Sequence, residues 1–273
     1  MTGPEAAVRD VTDEEIRRYR SDGWVKLPRI LSRDVAAALL TRAKAVMGEN
    51  GDAHSLRPGR DIVGPHARWH DYHGIAEEDE LFGSVAFSLA MGRNAQRLIG
   101  RDIPVQVFGT ALAVKLGSQQ VTSSNGRGST RYHQDMPALP MDRVGALSIW
   151  IALDEITPDM GTMRFHTGSH RLGSLGRFPT TDLKSTYPDL DAEHALSAPI
   201  RYEPGDATVH NALMVHGAPE NSTDRPRWSL ISIYFPGDAL YTGAPVSEHY
   251  TSHVLGLTVD RPFPAEVFPL AHR

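Results

Sequence analysis

RWSLISIYF, residues 227–235, opens with the polar–apolar alternation of a half-buried β-strand and continues as an apolar run. Three more runs share its character: VQVFGTALAVKL (105–116), VGALSIWIAL (144–153) and ATVHNALMVH (207–216). Each is short, rich in Val, Ile, Leu, Phe or Trp, and set off by clusters of Gly, Pro, Asp and Ser. Glu203-Pro204-Gly205-Asp206 is a tight turn that feeds the third run. Strands at this spacing after Pro104 predict a β sandwich or barrel, so the chain is expected to be mainly β from about residue 104 to 236.

Upstream, the pattern changes to helix–strand–helix. Thr12 and Glu15 form a capping box, with Val11 and Ile16 placed as its hydrophobic staple. Gly23 stops that helix where a left-handed residue is needed. Trp24–Leu27 is a short strand, and Ser32 caps a second helix with Val35, Leu39, Ala43 and Val46 on one face. Residues 79–99 are helical again, interrupted by Gly83 and Gly92. Between these helices, residues 48–73 show no period and read as a long loop or lid carrying Arg57, Arg60, His66, Arg68, Trp69, His70, Tyr72 and His73. Two further aperiodic stretches, 118–130 and 171–199, are expected to hang over one barrel mouth. The economical organisation is a single domain over residues 1–273: a helical buttress to about 103, a β core over about 104–236, and a C-terminal tail from 237 to 273.

Composition restricts the chemistry. The 273 residues include no cysteine, which excludes disulfides, zinc–thiolate sites, iron–sulfur clusters and thiol nucleophiles. A bound metal must therefore be held by His, Asp or Glu. A net charge of −5 speaks against nucleic acid as a partner. No apolar run reaches the ~18 residues of a membrane span, and residues 1–10 lack the apolar core of a secretory signal, so a cytoplasmic address is the default expectation.

His133-Gln134-Asp135 is the first candidate metal motif. In a strand, residues i and i+2 share a face, so an imidazole and a carboxylate could meet one ion. A second imidazole would complete the 2-His-1-carboxylate set of non-haem iron(II) oxygenases, which leaves three coordination positions open on one side. Two histidines, His210 and His216, flank the segment that could supply it. Arg227 lies eleven residues beyond His216 at the head of the last strand, and its forked guanidinium suits the distal carboxylate of a dicarboxylic co-substrate.

With these residues in this order, the chain resembles the phytanoyl-CoA dioxygenase family of iron(II)/2-oxoglutarate-dependent oxygenases. The likeness runs from Tyr19-Arg20-Ser21-Asp22-Gly23-Trp24 through His133-Gln134-Asp135 and Ser148-Ile149-Trp150-Ile151-Ala152-Leu153-Asp154. It continues with Met160-Gly161-Thr162-Met163, Thr167-Gly168-Ser169-His170, Gly205-Asp206, His216 and Arg227. The resemblance implies a double-stranded β-helix, a jelly-roll or cupin-like core with iron at one mouth. It implies His133, Asp135 and His216 as iron ligands and catalytic centre; His210 then reads as a supporting or strand residue and His170, in a turn, as a structural one. Arg227 and, through family position, Thr162 would bind 2-oxoglutarate, and O₂ would be the other co-substrate.

Two departures stand out. Ala218 replaces a serine common in relatives, removing one co-substrate hydrogen bond, and His166 takes a commonly apolar position that would face substrate. Because Asp135 is present, chlorination is disfavoured. The implied reaction oxidises an unactivated C–H bond of a small molecule, with hydroxylation in secondary metabolism as the default outcome. Epimerisation, ring closure or desaturation would use the same cofactors, and a non-catalytic, metal- or small-molecule-binding barrel is the alternative from another class. Expected partners are a small-molecule substrate, with no nucleic acid and no membrane; oligomeric state is left open.

Overall fold

The computed structural model describes residues 8–51, 69–118, 128–176, 182–246 and 251–272. In chain order, α1 (Asp13–Asp22), β1 (Trp24–Leu27) and α2 (Arg33–Met47) come first. Next are β2 (Trp69–His73), α3 (Ile75–Glu78), α4 (Glu80–Ala86) and α5 (Leu89–Ile99). The core follows with β3 (Val105–Lys115), β4 (Thr130–His133), β5 (Leu147–Ala152) and β6 (Arg164–Phe165). Then come α6 (Leu183–Thr186), α7 (Leu190–Glu193), β7 (Ala207–Asn211), β8 (His216–Ala218), β9 (Arg227–Pro236) and β10 (Leu270–His272).

The strands make two antiparallel sheets. The larger runs β1-β7-β5-β9-β3-β10, with β2 also paired to β3; the smaller runs β4-β8-β6. This is the two-sheet, cupin-like jelly roll that the resemblance implied.

Alternation along the larger sheet sorts its side chains. One face, with Leu112, Val114, Ile149, Ile151, Val209, Trp228, Leu230 and Tyr234, joins the buried residues of α1, α2, α4 and α5 in one apolar core. This face is what the helices buttress. The other face, carrying Ser148, Trp150, His210 and Arg227, turns toward the smaller sheet.

The start of α1 is built as its sequence dictates. Thr12 and Glu15 complete the capping box, and Gly23 closes the helix at φ 82°. Val11 and Ile16 are both buried. Gly23 is required twice over, because a Cβ there would also lie 2.2 Å from Met214 Cε and 2.3 Å from His170 Nδ1. The Thr167–His170 turn thus packs directly onto the end of α1, with the Gly168 N–H donating to Asp22 O at 2.8 Å. In this packing His170 is a structural residue.

The structure refines four expectations. The lid reading included residues 69–73, but these form β2, paired with Lys115 through Ala111 of β3. Arg57, Arg60, His66 and Arg68 lie outside the described residues. In α2 the buried stripe is Ala36, Leu39, Ala43 and Met47, with Val35 and Val46 partly buried against the same core. In the described part of 171–199, Leu183 of α6 and Leu190 of α7 pack with Val215 and Tyr132 on the outside of the smaller sheet. Finally, the tail contributes β10 to the sheet edge, so close to α5 that a Cβ on Gly92 would stand 2.1 Å from Ala271 O.

Candidate active site

Strand register brings the two candidate imidazoles together. His133 of β4 is the cross-strand partner of His216 of β8, and their ring centroids are 4.3 Å apart. Each ring is oriented by the carbonyl two residues before it. His133 Nδ1 donates to Arg131 O at 2.7 Å, and His216 Nδ1 donates to Met214 O at 3.0 Å. A carbonyl only accepts, so both rings carry their hydrogen on Nδ1 and present the Nε2 lone pair. Those lone pairs face Asp135 Oδ1, at 3.6 Å from His133 and 3.7 Å from His216.

Asp135 does not share a strand with His133. β4 ends at His133, and Asp135 has helical backbone angles, φ −75° and ψ −37°, at the start of a 3-10 turn over Met136–Ala138. The side chains converge because the chain turns inward, not because i and i+2 share a strand face. One donor atom from each of His133, Asp135 and His216 lies within 4.8 Å of the others, a set that could hold a metal ion. Donors in cis positions around an octahedral ion with bonds of about 2.1 Å stand about 3 Å apart, so small adjustments close the set.

Electrostatics suit such a set. Burial, reinforced by His210 and His133, keeps the His216 imidazole well below its ordinary pKa and therefore neutral. Burial opposes the charge on Asp135, but the surrounding imidazoles, with the His210 hydrogen bond among them, outweigh it and hold the carboxyl well below the usual carboxylate range. Gln134, between the two, points away and is 1% exposed. Its amide donates to Gly173 O at 2.8 Å and Leu213 O at 2.6 Å, and its oxygen accepts from Leu175 N at 2.8 Å.

Arg227, the first residue of β9, is buried on the inner face beside its cross-strand partner Lys115. Its guanidinium donates to Gly161 O and lies 5.2 Å from the Trp150 ring centroid. Burial pulls its pKa down to about 10, which leaves it charged at neutral pH. Lys115 is also fully buried and donates to Pro219 O at 2.7 Å. Desolvation and the Arg227 charge press its pKa well below the ordinary lysine value. Trp150 holds an indole N–H that is buried without a hydrogen-bond partner among the described residues. A buried guanidinium and an unused N–H suit this end of the barrel to an anion.

Thr162, beside Gly161, is buried, and its hydroxyl oxygen accepts from Ile200 N at 3.3 Å. Ala218 packs into the apolar cluster of Trp150, Met163 and Phe165. His166 does not face the interior. Phe165 takes that side, stacked at 6.1 Å on His216, while the His166 ring meets Tyr132 at 5.1 Å and Asp191 Oδ1 at 3.7 Å beneath the 171–199 insertion.

Ser148, Trp150 and Lys115 were not singled out from the sequence. The available signal was phase: Ser148 and Trp150 share one face of β5, and Lys115 is a lone charge closing an apolar strand. His210 is the inward cross-strand partner of Ser148, and both bond to Asp135 Oδ2.

A family model for phytanoyl-CoA dioxygenase matches residues 19–229. The chain is similar to a methylphosphonate hydroxylase of Gimesia maris, 25% identical over 244 residues, covering 88% of this chain and 85% of the relative. Among solved structures it is similar to SnoK, a non-haem, alpha-ketoglutarate-dependent carbocyclase from nogalamycin biosynthesis. That match has TM-score 0.77, 26% identity, and coverage of 97% and 98% of the two chains. It is equally similar to the epimerase SnoN, solved with Fe3+, alpha-ketoglutarate and nogalamycin RO: TM-score 0.77, 25% identity, 95% and 98% covered. Among the described residues, no helix is long and apolar enough to cross a membrane.

Proposed function

The chain belongs to the phytanoyl-CoA dioxygenase family and is an iron(II)/2-oxoglutarate-dependent oxygenase, and from that premise we propose how its residues divide the work. His133, Asp135 and His216 hold the iron through Nε2, Oδ1 and Nε2. Arg227 binds the distal carboxylate of 2-oxoglutarate, with the Trp150 indole N–H beside it. Thr162 adds a second contact: its oxygen already accepts from Ile200 N, so its hydroxyl hydrogen remains to be donated. When bound, iron and 2-oxoglutarate couple O₂ reduction and decarboxylation to succinate with oxidation of a substrate C–H bond. The protein binds, orients and keeps the site dry.

The observation that carries this reading is the donor set. Two imidazole lone pairs and one carboxylate oxygen face one point in a barrel whose inner wall also buries Arg227. The N-terminal β1 and C-terminal β10 are both strands of the larger sheet, which supports one oxygenase domain over residues 1–273.

The substrate is a small molecule of secondary metabolism, and hydroxylation is the proposed outcome. Likeness to a carbocyclase and an epimerase over nearly the whole chain favours a second reading, ring closure or stereocentre inversion with the same cofactors. Product mass separates them: hydroxylation adds one oxygen, ring closure removes two hydrogens and epimerisation leaves mass unchanged.

The test is succinate formation from 2-oxoglutarate by anaerobically purified protein given iron(II), ascorbate and O₂, beside Asp135→Ala and Arg227→Ala variants. Slow turnover by wild type, with both variants at background, is expected. Equal rates in wild type and variants would overturn the residue assignments.

A further inference from the structure

Asp135 sits in a turn and makes no capping hydrogen bond there, so nothing in its own segment fixes its carboxylate. The side chain is fixed from across the barrel. Ser148 Oγ donates to Oδ2 at 2.8 Å, and His210 Nε2 lies 3.1 Å from the same oxygen. Ser148 and His210 are direct cross-strand partners on β5 and β7, both on the inner face, and are 2% and 3% exposed. An ionised carboxylate only accepts, so His210 carries its hydrogen on Nε2. That tautomer withdraws this nitrogen from metal ligation. The His210 ring is wedged between Phe165, at 5.5 Å, and His216, at 4.3 Å, which prevents it from swinging away.

The two oxygens of Asp135 thus differ sharply. Oδ2 receives two hydrogen bonds, whereas Oδ1 faces the lone pairs of His133 and His216. We infer that Ser148 and His210 are positioning residues that reserve Oδ2, so that Asp135 ligates through Oδ1 alone. This rests on the metal-ligand reading above. The consequence is a count of open positions. A carboxylate free to rotate could chelate with both oxygens and fill a fourth position. Held to one oxygen, it leaves the three that a bidentate 2-oxo acid and O₂ need together.

The experiment uses Co(II), a spectroscopic stand-in that does not turn over, in the full-length protein. Wild type, Ser148→Ala, His210→Phe, the double variant and the hydroxyl-retaining Ser148→Thr are loaded anaerobically. Metal stoichiometry, the visible Co(II) band and the 2-oxoglutarate Kd from calorimetry are then recorded. Wild type and Ser148→Thr are expected to agree. Ser148→Ala is expected to shift the Co(II) band and weaken 2-oxoglutarate, and the double variant to weaken it roughly tenfold or more while still binding one Co(II).

A double variant with wild-type band and Kd would overturn the inference. Where the double variant fails to fold or to take up metal, the Ser148→Ala and Ser148→Thr pair decides: equal Kd values in the two overturn it. Wild type that takes up no Co(II) would instead sink the metal-ligand reading itself, and this inference with it.

Discussion

Replacing Arg227 with methionine keeps most of the side chain's volume and removes its charge. Arg227 is 1% exposed, so a carboxylate that reaches it does so away from water. At an effective dielectric near 20, unit charges about 4 Å apart attract by about 4 kcal/mol. Desolvation of the incoming carboxylate returns part of this, and truncating one partner of a buried, hydrogen-bonded charge pair costs about 2–5 kcal/mol. With about 1.4 kcal/mol per factor of ten, the 2-oxoglutarate Kd of Arg227→Met should rise about 30- to 4,000-fold. Arg227→Lys keeps the charge but loses the fork, and about tenfold is expected.

The ligand-free protein should respond in the other direction. Burial depresses the guanidinium pKa to about 10, so the folded state carries this cation at a cost. Removing it should leave the melting temperature unchanged or raised, despite loss of the bond to Gly161 O and the contact with Trp150. The assay is anaerobic calorimetry with Co(II)-loaded protein alongside thermal melts. An Arg227→Met protein that melts like wild type yet binds 2-oxoglutarate within about threefold of it would refute the assignment of Arg227 to the co-substrate.

Other consequences can be checked in parallel. Adding iron(II) or Co(II) at about 100 times Kd should stabilise the apo-protein by about 2.7 kcal/mol, or about 5–11 °C, and Asp135→Ala should abolish the shift in a thermal melt. Thr162→Val should raise the 2-oxoglutarate Kd by about 2- to 13-fold, the worth of one hydrogen bond; an unchanged Kd would confine Thr162 to its bond with Ile200 N. Gly92→Ala should lower stability in urea by about 1–3 kcal/mol, since the new methyl meets Ala271 O of β10. Burial holds the pKa of His166 below its ordinary value, so the unfolded chain binds a proton there before the folded one does. The stability this gives is complete above about pH 6.5 and is lost as pH falls through the folded pKa, so His166→Phe should flatten the fall in melting temperature between about pH 7 and 5.

Local physics made much of this fold legible in the sequence. The Thr12–Glu15 capping box, the Gly23 stop and the strands at 105–116, 144–153 and 227–235 are all set by near neighbours, and each appears in the structure. What depended on partners distant in sequence was hidden. Residues 69–73 carry no clear period because β2 is defined by pairing with β3. His166 looked substrate-facing until β6 paired with β8 and gave the inner side to Phe165. The site followed the same rule. Residue types and order pointed to His133, Asp135, His216 and Arg227, whereas Ser148 and Lys115 depended on register and strand phase. The meeting of His133 with His216 is also a register fact, and the turn that aims Asp135 has no motif of its own.

Gln134 joins the ligand segment to the insertion that follows Thr167-Gly168-Ser169-His170, and all three of its bonds end on main-chain atoms of Gly173, Leu213 and Leu175. These bonds themselves set no demand on side-chain identity beyond excluding proline at 175, which would remove the N–H, although Leu175 also packs against Leu183, Leu190 and Val215. The insertion can therefore drift, lengthen beyond this anchor or be exchanged for that of a relative while the geometry between His133 and Asp135 stays fixed. Such a joint lets one oxidising centre be inherited intact while the surface around it is rewritten for new molecules, and it marks residue 175 as a place to begin a graft.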